Sequence, residues 1–312
     1  MLSLFRSIFL GNETSGRYPK SLLDEAIERA VDGTDPWLRG LSGYRRKLRP
    51  AVLTALDHVM NLVEGLAPPR SANRDGYAHD PLLQAMFLSS AQMLQLLHGL
   101  LQAHAVAGGA ACALLMMDLE QRGIFGADLH GDMLVRDVPQ VTVSFANHRL
   151  LDPCSKESET RRLLKRRAFD HLLSLALHRM ATTKETRKNL DNRHALLQAK
   201  LDILQNGNWG FDPGTPQRPD MLAELGKQLA DNESQLQLVG SDDRALEVAM
   251  HLLVDVLGRP QQHLWADHKL LAVDRMGIKR ATASDTAPEL QLEQLHNAEG
   301  RSVVVTLVTI ET

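Results

Sequence analysis

The chain has 312 residues and a slightly acidic formal net charge of -3, from 35 Lys and Arg against 38 Asp and Glu. Its hydrophobic fraction of 44% and charged fraction of 23% are those of an ordinary folded protein, which excludes a disordered, collagen-like or fibrous chain. The acidic balance also argues against binding a polyanion by bulk attraction. Any such binding would need a local cluster of cations.

The chain has only two cysteines, Cys112 and Cys154, and they do not form a C-x-x-C motif. We therefore expect neither a disulfide framework nor a cysteine zinc site, and a reducing cytoplasmic location fits best. Glycine-rich phosphate loops, nucleophile elbows and the HExxH pattern are all missing from the sequence, so no cofactor is expected. The sequence leaves open whether the protein is an enzyme, although it favours a non-catalytic role.

Residues 1–66 are predicted to form an N-terminal helical region. Apolar residues recur at helical spacing over 21–31, and further helices are expected over 36–48 and 51–65. The first of these two follows Asp35-Pro36, a pair that caps and opens helices. Residues 67–79, rich in Pro, Arg, Asn, Asp and Gly, predict a linker to a main α+β domain over 80–312.

Two segments raise the question of a membrane. Residues 1–10 look like the start of an amphipathic helix, which could dock on the protein's own core or contact a membrane surface peripherally. Residues 81–117 contain no charged side chain, but their Gln, Ser and His side chains would be costly in hydrocarbon. We therefore expect a buried central helix there, and no transmembrane span.

Residues 111–151 change to short apolar and β-branched runs, which predicts a small antiparallel β-meander. Gly131-Asp132 is the expected turn, and Pro139 should lie at an edge or a bulge. The predicted strands are Ala113–Glu120, Gly123–Leu129, Met133–Val138 and Val141–Leu150.

Residues 155–205 contain neither Gly nor Pro, which favours one long helix. A capping-box pattern at Thr182-x-x-Glu185 supports the alternative, a helical hairpin that turns near residue 182. From Phe169 onward, apolar positions alternate steps of four and three, the pattern of a coiled-coil seam that pairs with another helix of this chain or of a partner. The apolar residues expected to make that contact are Phe169, Leu173, Met180, Leu190, Leu197, Leu201 and Leu204.

Helices are predicted over 220–237 and 243–257, and strands follow within 262–310. These strands form a C-terminal β-layer that could join the meander. The predicted fold class is therefore α+β and α-rich, with a helical N-terminal region, a small β-meander, a long coiled-coil-prone helix and a C-terminal β-layer. The predicted strands are His263–Val273, Glu289–Leu295 and Ser302–Ile310.

Two basic clusters, over 45–49 and 161–167, could bind nucleic acid or anionic phospholipid headgroups. The alternative is that they form solvated helix faces paired with nearby carboxylates such as Glu157 and Glu159. The candidate anion-binding residues are Arg45, Arg46, Lys47, Arg161, Arg162, Lys165 and Arg166.

Asp128, His130 and His148 are candidate metal ligands, because a hairpin could bring a carboxylate and two imidazoles together. The alternative is a chance set of polar residues around a β-turn. With a metal bound, the protein would be a metal-dependent hydrolase, which is our third hypothesis.

Our leading hypothesis is a non-catalytic cytoplasmic interaction or scaffold protein. It would self-associate or bind another protein through the helical seam over 169–204. An anion-binding module that uses the two basic clusters is the second hypothesis.

Overall fold

The computed structural model describes residues 18–102, 104, 109–130, 133–206, 218–239 and 244–311. The amphipathic segment predicted over residues 1–10 lies outside the described residues. Contacts divide the chain into two compact units, and the predicted domain boundary between residues 66 and 80 lies inside the first. The first unit comprises Met1–Leu22, Leu53–Asp170 and Arg259–Thr312, and the second comprises Leu23–Val52 and His171–Gly258.

The predicted α+β class is confirmed, since helices and one antiparallel sheet make up most of the described chain. Short 3-10 helices occupy Pro36–Gly40 and Pro260–Gln262. The α-helices are α1 (Lys20–Asp32), α2 (Tyr44–Glu64), α3 (Arg74–His79), α4 (Pro81–Met86), α5 (Ser90–Gln102), α6 (Glu157–Asn206), α7 (Arg218–Val239) and α8 (Ala245–Gly258).

The two helices predicted over 36–48 and 51–65 are instead a 3-10 helix followed by the single helix α2. Asp35 caps the 3-10 helix as expected, because its side chain accepts a hydrogen bond from Trp37 N at 2.9 Å. Pro50 lies inside α2 without ending it. Proline has no N–H, so the helix loses one backbone hydrogen bond at this position. Leu48 and Val52 on either side of Pro50 are buried, and their packing favours continuation of the helix through the proline.

The prediction of a linker over 67–79 is wrong. This stretch contains a two-residue strand, β1 (Arg70–Ser71), and the helix α3. Ala72 is fully buried, and its N–H donates to Thr309 O at 2.8 Å. The Asn and Gly that suggested a linker instead cap α3, where the Asn73 side chain accepts from Gly76 N.

The sheet has the strand order β3-β2-β7-β6-β4-β5 with antiparallel neighbours, and β1 adds in parallel to β7. The C-terminal strands thus join the strands that follow α5, as expected. The further strands are β2 (Ala110–His130), β3 (Met133–Cys154), β4 (Leu264–Val273), β5 (Lys279–Arg280), β6 (Glu289–Asn297) and β7 (Ser302–Glu311).

The predicted meander is one long hairpin of two strands, β2 and β3, rather than four short strands. The predicted break near residues 121–122 lies within β2, and Pro139 lies within β3 opposite Phe125. Gly131-Asp132 lies outside the described residues. The error has a physical cause: β7 pairs with β2 only over 110–117, so the rest of the hairpin exposes polar residues that resemble turns in composition.

Three β-bulges bend β3. The ladder with β2 shifts register three times, and each shift coincides with a β3 residue of positive φ: Asp137 at 59°, Asn147 at 55° and Asp152 at 49°. These are the non-glycine residues with positive φ in the described chain. Asn and Asp tolerate this conformation better than other residues, and each bulge increases the local twist of the strand.

The sheet packs against helices on both faces. The larger core lies between one face and helices α4 and α5, and the smaller core lies between the other face, the end of α2 and the start of α6. Buried members of the larger core include Leu83, Met93, Leu97, Ala113, Leu115, Leu292, Val304 and Val308. Buried members of the smaller core include Val63, Leu66, Leu114, Leu164, Val305 and Leu307.

The uncharged segment 81–117 divides into α4, α5 and the start of β2, so the single buried helix predicted there is wrong. Within α5, Met93, Leu97 and Leu101 are buried, Leu94, Leu96 and Leu100 are partly buried against the larger core, and Gln92, Gln95 and Gln102 are exposed. Among the helices that the structure describes, none is both long and apolar enough to cross a membrane.

Candidate functional site

The outer edge of β4 carries unpaired backbone groups. Residues of an antiparallel strand alternately face one neighbour and the other. On the inner side, His263 O accepts from Ala298 N, and Val273 N donates to Pro288 O. On the outer side, Leu264 O accepts a hydrogen bond from His58 Nε2 at 2.6 Å. The even-numbered residues of β4 therefore face outward.

The free part of this edge is short and has defined ends. His58 occupies the outward carbonyl of Leu264 at one end, and β5 pairs with Ala272 at the other. Between them, the outward N–H and C=O groups of Ala266, His268 and Leu270 have no strand beside them within the described chain. We call residues 265–271 the β4 edge, and its central residue is His268.

The β4 edge is regular and exposed. Its ladder with β6 runs from Leu264 to Ala272 without a register shift. Leu270 is 58% exposed and Trp265 36%, and Trp265 stacks on His296 with ring centroids 5.4 Å apart. A free strand edge of this kind is a template for pairing with another strand.

Charged residues flank the central His268 on the β4 edge. Asp267 and Lys269 lie two residues apart and so share one face of the sheet. The Asp267 carboxylate lies 3.1 Å from His296 Nε2, and its side chain remains 55% exposed. Lys269 forms no ion pair with any other described residue.

The opposite edge of the sheet, formed by β3, is partly covered. Val143 N of β3 donates to Gly277 O at 2.7 Å, and Thr142 forms a bridge with Ile278. Gly277 has a φ of +75° and lies in the turn before β5. The exposed edge of β3 is therefore covered at its middle by the segment that follows β4.

The helix predicted over 155–205 is confirmed as one continuous helix, α6, and the hairpin alternative is excluded. Thr182 and Thr183 lie inside it, and their hydroxyls donate to the carbonyls of His178 and Arg179. The seam residues differ in exposure. Phe169, Leu173 and Leu197 are buried, Met180, Leu190 and Leu201 are partly exposed, and the side chain of Leu204 is outside the described residues.

Part of the seam contacts another helix of the same chain. Asn232 of α7 is buried, and its Nδ2 donates to Leu190 O of α6 at 3.0 Å. Leu190 lies sixteen residues before the end of α6, and Asn232 lies fourteen residues after the start of α7. At Leu190, the predicted seam helix therefore contacts another helix of the same chain.

Most cations of the cluster over 161–167 have internal partners. Arg161 donates to Val63 O at 2.6 Å and to Leu66 O at 3.1 Å, which satisfies carbonyls at the end of α2. Lys165 is buried and pairs with Glu64. The remaining members are Arg162, which is partly exposed, Arg166, which lies 3.9 Å from Asp170, and Arg167, which makes two hydrogen bonds to Asp152.

The cluster over 45–49 is more exposed. Arg45 pairs with Glu28 at 2.8 Å and lies over the Tyr44 ring, whereas Arg46 and Lys47 are exposed. Partial burial of Glu28 acts to raise its pKa, but hydrogen bonds from Tyr44, Arg39 and Arg45 hold the pKa of this carboxyl below its usual value. The structure thus ties Arg45 into a carboxylate network.

His148 lies far along the hairpin from the other two candidate metal ligands, Asp128 and His130. The side chains of Asp128 and His130 are outside the described residues, but their backbones lie near the end of the hairpin, opposite Val135 and Met133. His148 lies beside Arg149, which pairs with Met116. About ten residues of strand, roughly 30 Å, separate His148 from Asp128.

His148 instead packs against Phe87, with ring centroids 5.0 Å apart. Burial lowers the pKa of its imidazole, and a hydrogen bond to the Met86 backbone partly opposes that effect. Within the described residues, no group of three or more His, Cys, Asp or Glu is arranged to hold a metal ion.

Sequence reasoning did not identify the β4 edge. The sequence shows Asp267 beside His268, but whether a strand lies at an edge depends on the pairing of distant segments. The usable signal was the local symmetry of opposite charges around His268. Comparison of the chain with models of protein families, with curated proteins and with solved structures found no match.

Proposed function

We propose that the protein is a non-catalytic cytoplasmic interaction protein that self-associates by pairing the β4 edges of two copies. The two strands would run antiparallel about a two-fold axis and join two sheets into one. The observation that carries the proposal is the symmetry of the β4 edge about His268, in both its free backbone groups and its charges.

The backbone groups support this symmetry first. Antiparallel pairing centred on His268 sets Ala266 opposite Leu270 of the second copy, and His268 opposite itself. All three residues face outward, so each of the three pairs can exchange two hydrogen bonds. The pairing uses every free outward group between His58 and β5, and it requires none that these two already occupy.

The side chains favour the same register. With His268 on the axis, Asp267 of each copy lies opposite Lys269 of the other. Shifting one strand by two residues would set Asp267 against Asp267, or Lys269 against Lys269. Opposite charges across a strand pair stabilise it and like charges destabilise it, so the charges select the centred register.

The proposed contact surface differs from the seam of α6. The contact between Leu190 and Asn232 gives part of that seam a partner within the chain, whereas the β4 edge has none among the described residues. The proposal therefore retains the hypothesis of a self-associating interaction protein. It places the contact between copies at the β4 edge instead of the α6 seam.

A charge-swap series measured by sedimentation equilibrium tests the proposal. Asp267→Lys alone and Lys269→Asp alone each create two like-charge pairs per dimer. Each should weaken association by about 1–2 kcal/mol, a roughly five- to thirtyfold rise in Kd. The double variant Asp267→Lys/Lys269→Asp restores opposite pairs and should return the Kd to within about threefold of wild type.

The double variant is the matched control, since it carries both substitutions and loses the same internal contact with His296. A wild-type protein that stays monomeric at every concentration would contradict the proposal. Association that is equal in all four proteins would also contradict it, because the contact would then lie on another surface.

A further inference from the structure

Cys112 and Cys154 lie directly opposite each other in the ladder between β2 and β3. Opposite residues of an antiparallel pair project from the same face, with Cα atoms about 4.5–5.5 Å apart. This separation is within the range that a disulfide spans. The two thiols, 42 positions apart in the sequence, are thus neighbours across the strands.

The bulge at Asp152 produces this juxtaposition. From Leu114 toward Cys112 the register shifts by one residue, so that Cys154 rather than Pro153 lies opposite Cys112. Asp152 has a φ of +49°, and its carboxylate is held by Arg167 at 2.7 and 2.8 Å. The bulge at Asp152, whose carboxylate pairs with Arg167, therefore aligns the two cysteines.

The Thr160 side chain contacts the same place from α6. Thr160 is fully buried, and its hydroxyl donates to Cys112 O at 2.7 Å. Thr160 therefore fixes the start of α6 against the part of β2 that carries Cys112.

We infer that Cys112 and Cys154 form a modification site, at which a small organic disulfide converts the two thiols into an intramolecular disulfide. Cys154 is partly exposed, whereas Cys112 is buried, so the oxidant reaches Cys154 first. The inference is independent of the proposed dimer.

The chemistry proceeds in two exchanges. The Cys154 thiol loses its proton, and its sulfur attacks the small disulfide, whose S–S bond breaks and releases one thiol. The Cys112 sulfur, deprotonated in turn, attacks Cys154 Sγ and releases the second thiol. The protein gives up two electrons and two protons, and the small disulfide is reduced to two thiols.

Burial raises the pKa of both thiols, an effect that the hydrogen bond with Thr160 partly opposes. Because the thiolate is the nucleophile, oxidation should be slow near neutral pH and faster in mild alkali. This sets the conditions of the test.

The experiment incubates the folded protein with excess oxidised glutathione at about pH 8.5, quenches it with acid and alkylates the remaining thiols. We expect a monomeric product about 2 Da lighter than the starting protein, with no alkylation. Tryptic digestion without reductant should give a linked pair of peptides, residues 75–122 and 150–156, that separates on reduction.

Cys112→Ser is the matched variant, since it keeps the exposed thiol and removes the buried one. It should accumulate a glutathione adduct on Cys154 at a level at least about tenfold above wild type, because nothing resolves the adduct. A wild-type protein that accumulates this adduct to the same level would overturn the inference. Two thiols that are still alkylated after prolonged oxidation, or linkage between different molecules, would also overturn it.

Discussion

The strand β3 lies at one end of the strand order of the sheet, and β4 lies near the other end, beside the short strand β5. The outer edges of β3 and β4 differ. β3 has three bulges, carries Pro139 and is bridged at its middle by Val143 and Gly277. The free part of β4 has no bulge, no proline and no covering segment among the described residues. Bulges, proline and covering loops are the devices by which sheets avoid pairing with other chains.

The difference indicates which edge is available for pairing. One edge is blocked by bulges, a proline and a covering segment, whereas the outward residues Ala266, His268 and Leu270 of the other edge are exposed and have no strand beside them in the described chain. The charges of the β4 edge are self-complementary in one register only. A stretch that is both open and self-complementary is the better candidate for a contact between copies.

The largest expected effect is on the closed edge. Gly277→Ala adds a Cβ 3.0 Å from Val143 O at a φ of +75°, so it strains the backbone and crowds the bridge to β3. We expect the free energy of unfolding to fall by about 2 kcal/mol in urea titrations. Gly300→Ala is the control, because Gly300 has a φ of +79° with open space around the new Cβ. An equal loss of unfolding free energy in both variants would mean that the contact between Gly277 and Val143 does not contribute to stability.

A substitution at the centre of the β4 edge should affect association rather than folding. His268→Pro removes the outward N–H and leaves the ladder with β6 intact, so both central hydrogen bonds of the dimer are lost. At about 1 kcal/mol each, the Kd should rise roughly thirtyfold in sedimentation equilibrium. His268→Ala keeps the N–H and should change the Kd by no more than about threefold. An equal rise of Kd in His268→Pro and His268→Ala would mean that the His268 side chain, and not its N–H group, stabilises the dimer.

The secondary-structure predictions that the structure confirms depend on the composition of short stretches of sequence. The long helix follows from a run without Gly or Pro over 155–205, and the C-terminal strands follow from β-branched residues over 302–310. The predicted meander failed because charged residues and glycine, such as Glu120, Arg122 and Gly123, interrupt the apolar residues of the ribbon beyond β7 and have the composition of turns. The linker prediction failed because capping residues such as Asn73 have the composition of a linker.

The candidate sites were harder to predict because they depend on pairing across the chain. Arg161 and Lys165 looked like free cations in the sequence, but they meet α2 residues about a hundred positions away. The Cys112–Cys154 pair depends on one bulge, and a register one residue different would separate the thiols. The availability of the β4 edge depends on where β5 and His58 lie.

A smaller effect should come from Glu28, which lies outside the sheet and serves as a control for both edges. Glu28→Gln weakens the network with Arg39, Arg45 and Tyr44 and should cost about 1 kcal/mol of stability at neutral pH. The pKa of Glu28 is lowered in the folded protein, so its contribution is complete above the ordinary carboxyl pKa and is lost as pH falls through the folded value.

Urea titrations of wild type and Glu28→Gln from neutral to acidic pH should therefore converge as the pH is lowered. The dimer Kd should be the same in both proteins, since Glu28 is not part of the sheet. A stability difference that does not change with pH would show that the charge of Glu28 is irrelevant.

The smallest expected effect concerns His148, at the β3 side of the sheet. Burial lowers the pKa of this imidazole, so the folded state favours its neutral form. Its contribution is complete above the unfolded pKa of about 6.5 and declines as pH falls below that value. Between pH 7.5 and 5, wild type should lose more stability than His148→Phe, which keeps the stack on Phe87. An identical pH dependence of the two unfolding free energies would contradict this assignment.

The most direct test of the proposed dimer is cysteine cross-linking along the β4 edge, in a background where Cys112 and Cys154 are replaced by Ser. With His268 on the two-fold axis, His268→Cys should form a disulfide-linked dimer rapidly under mild oxidation. Ala266→Cys and Leu270→Cys should each cross-link poorly alone and efficiently when the two variants are mixed. No cross-link at residue 268, or equal cross-linking at all three positions, would contradict the centred register.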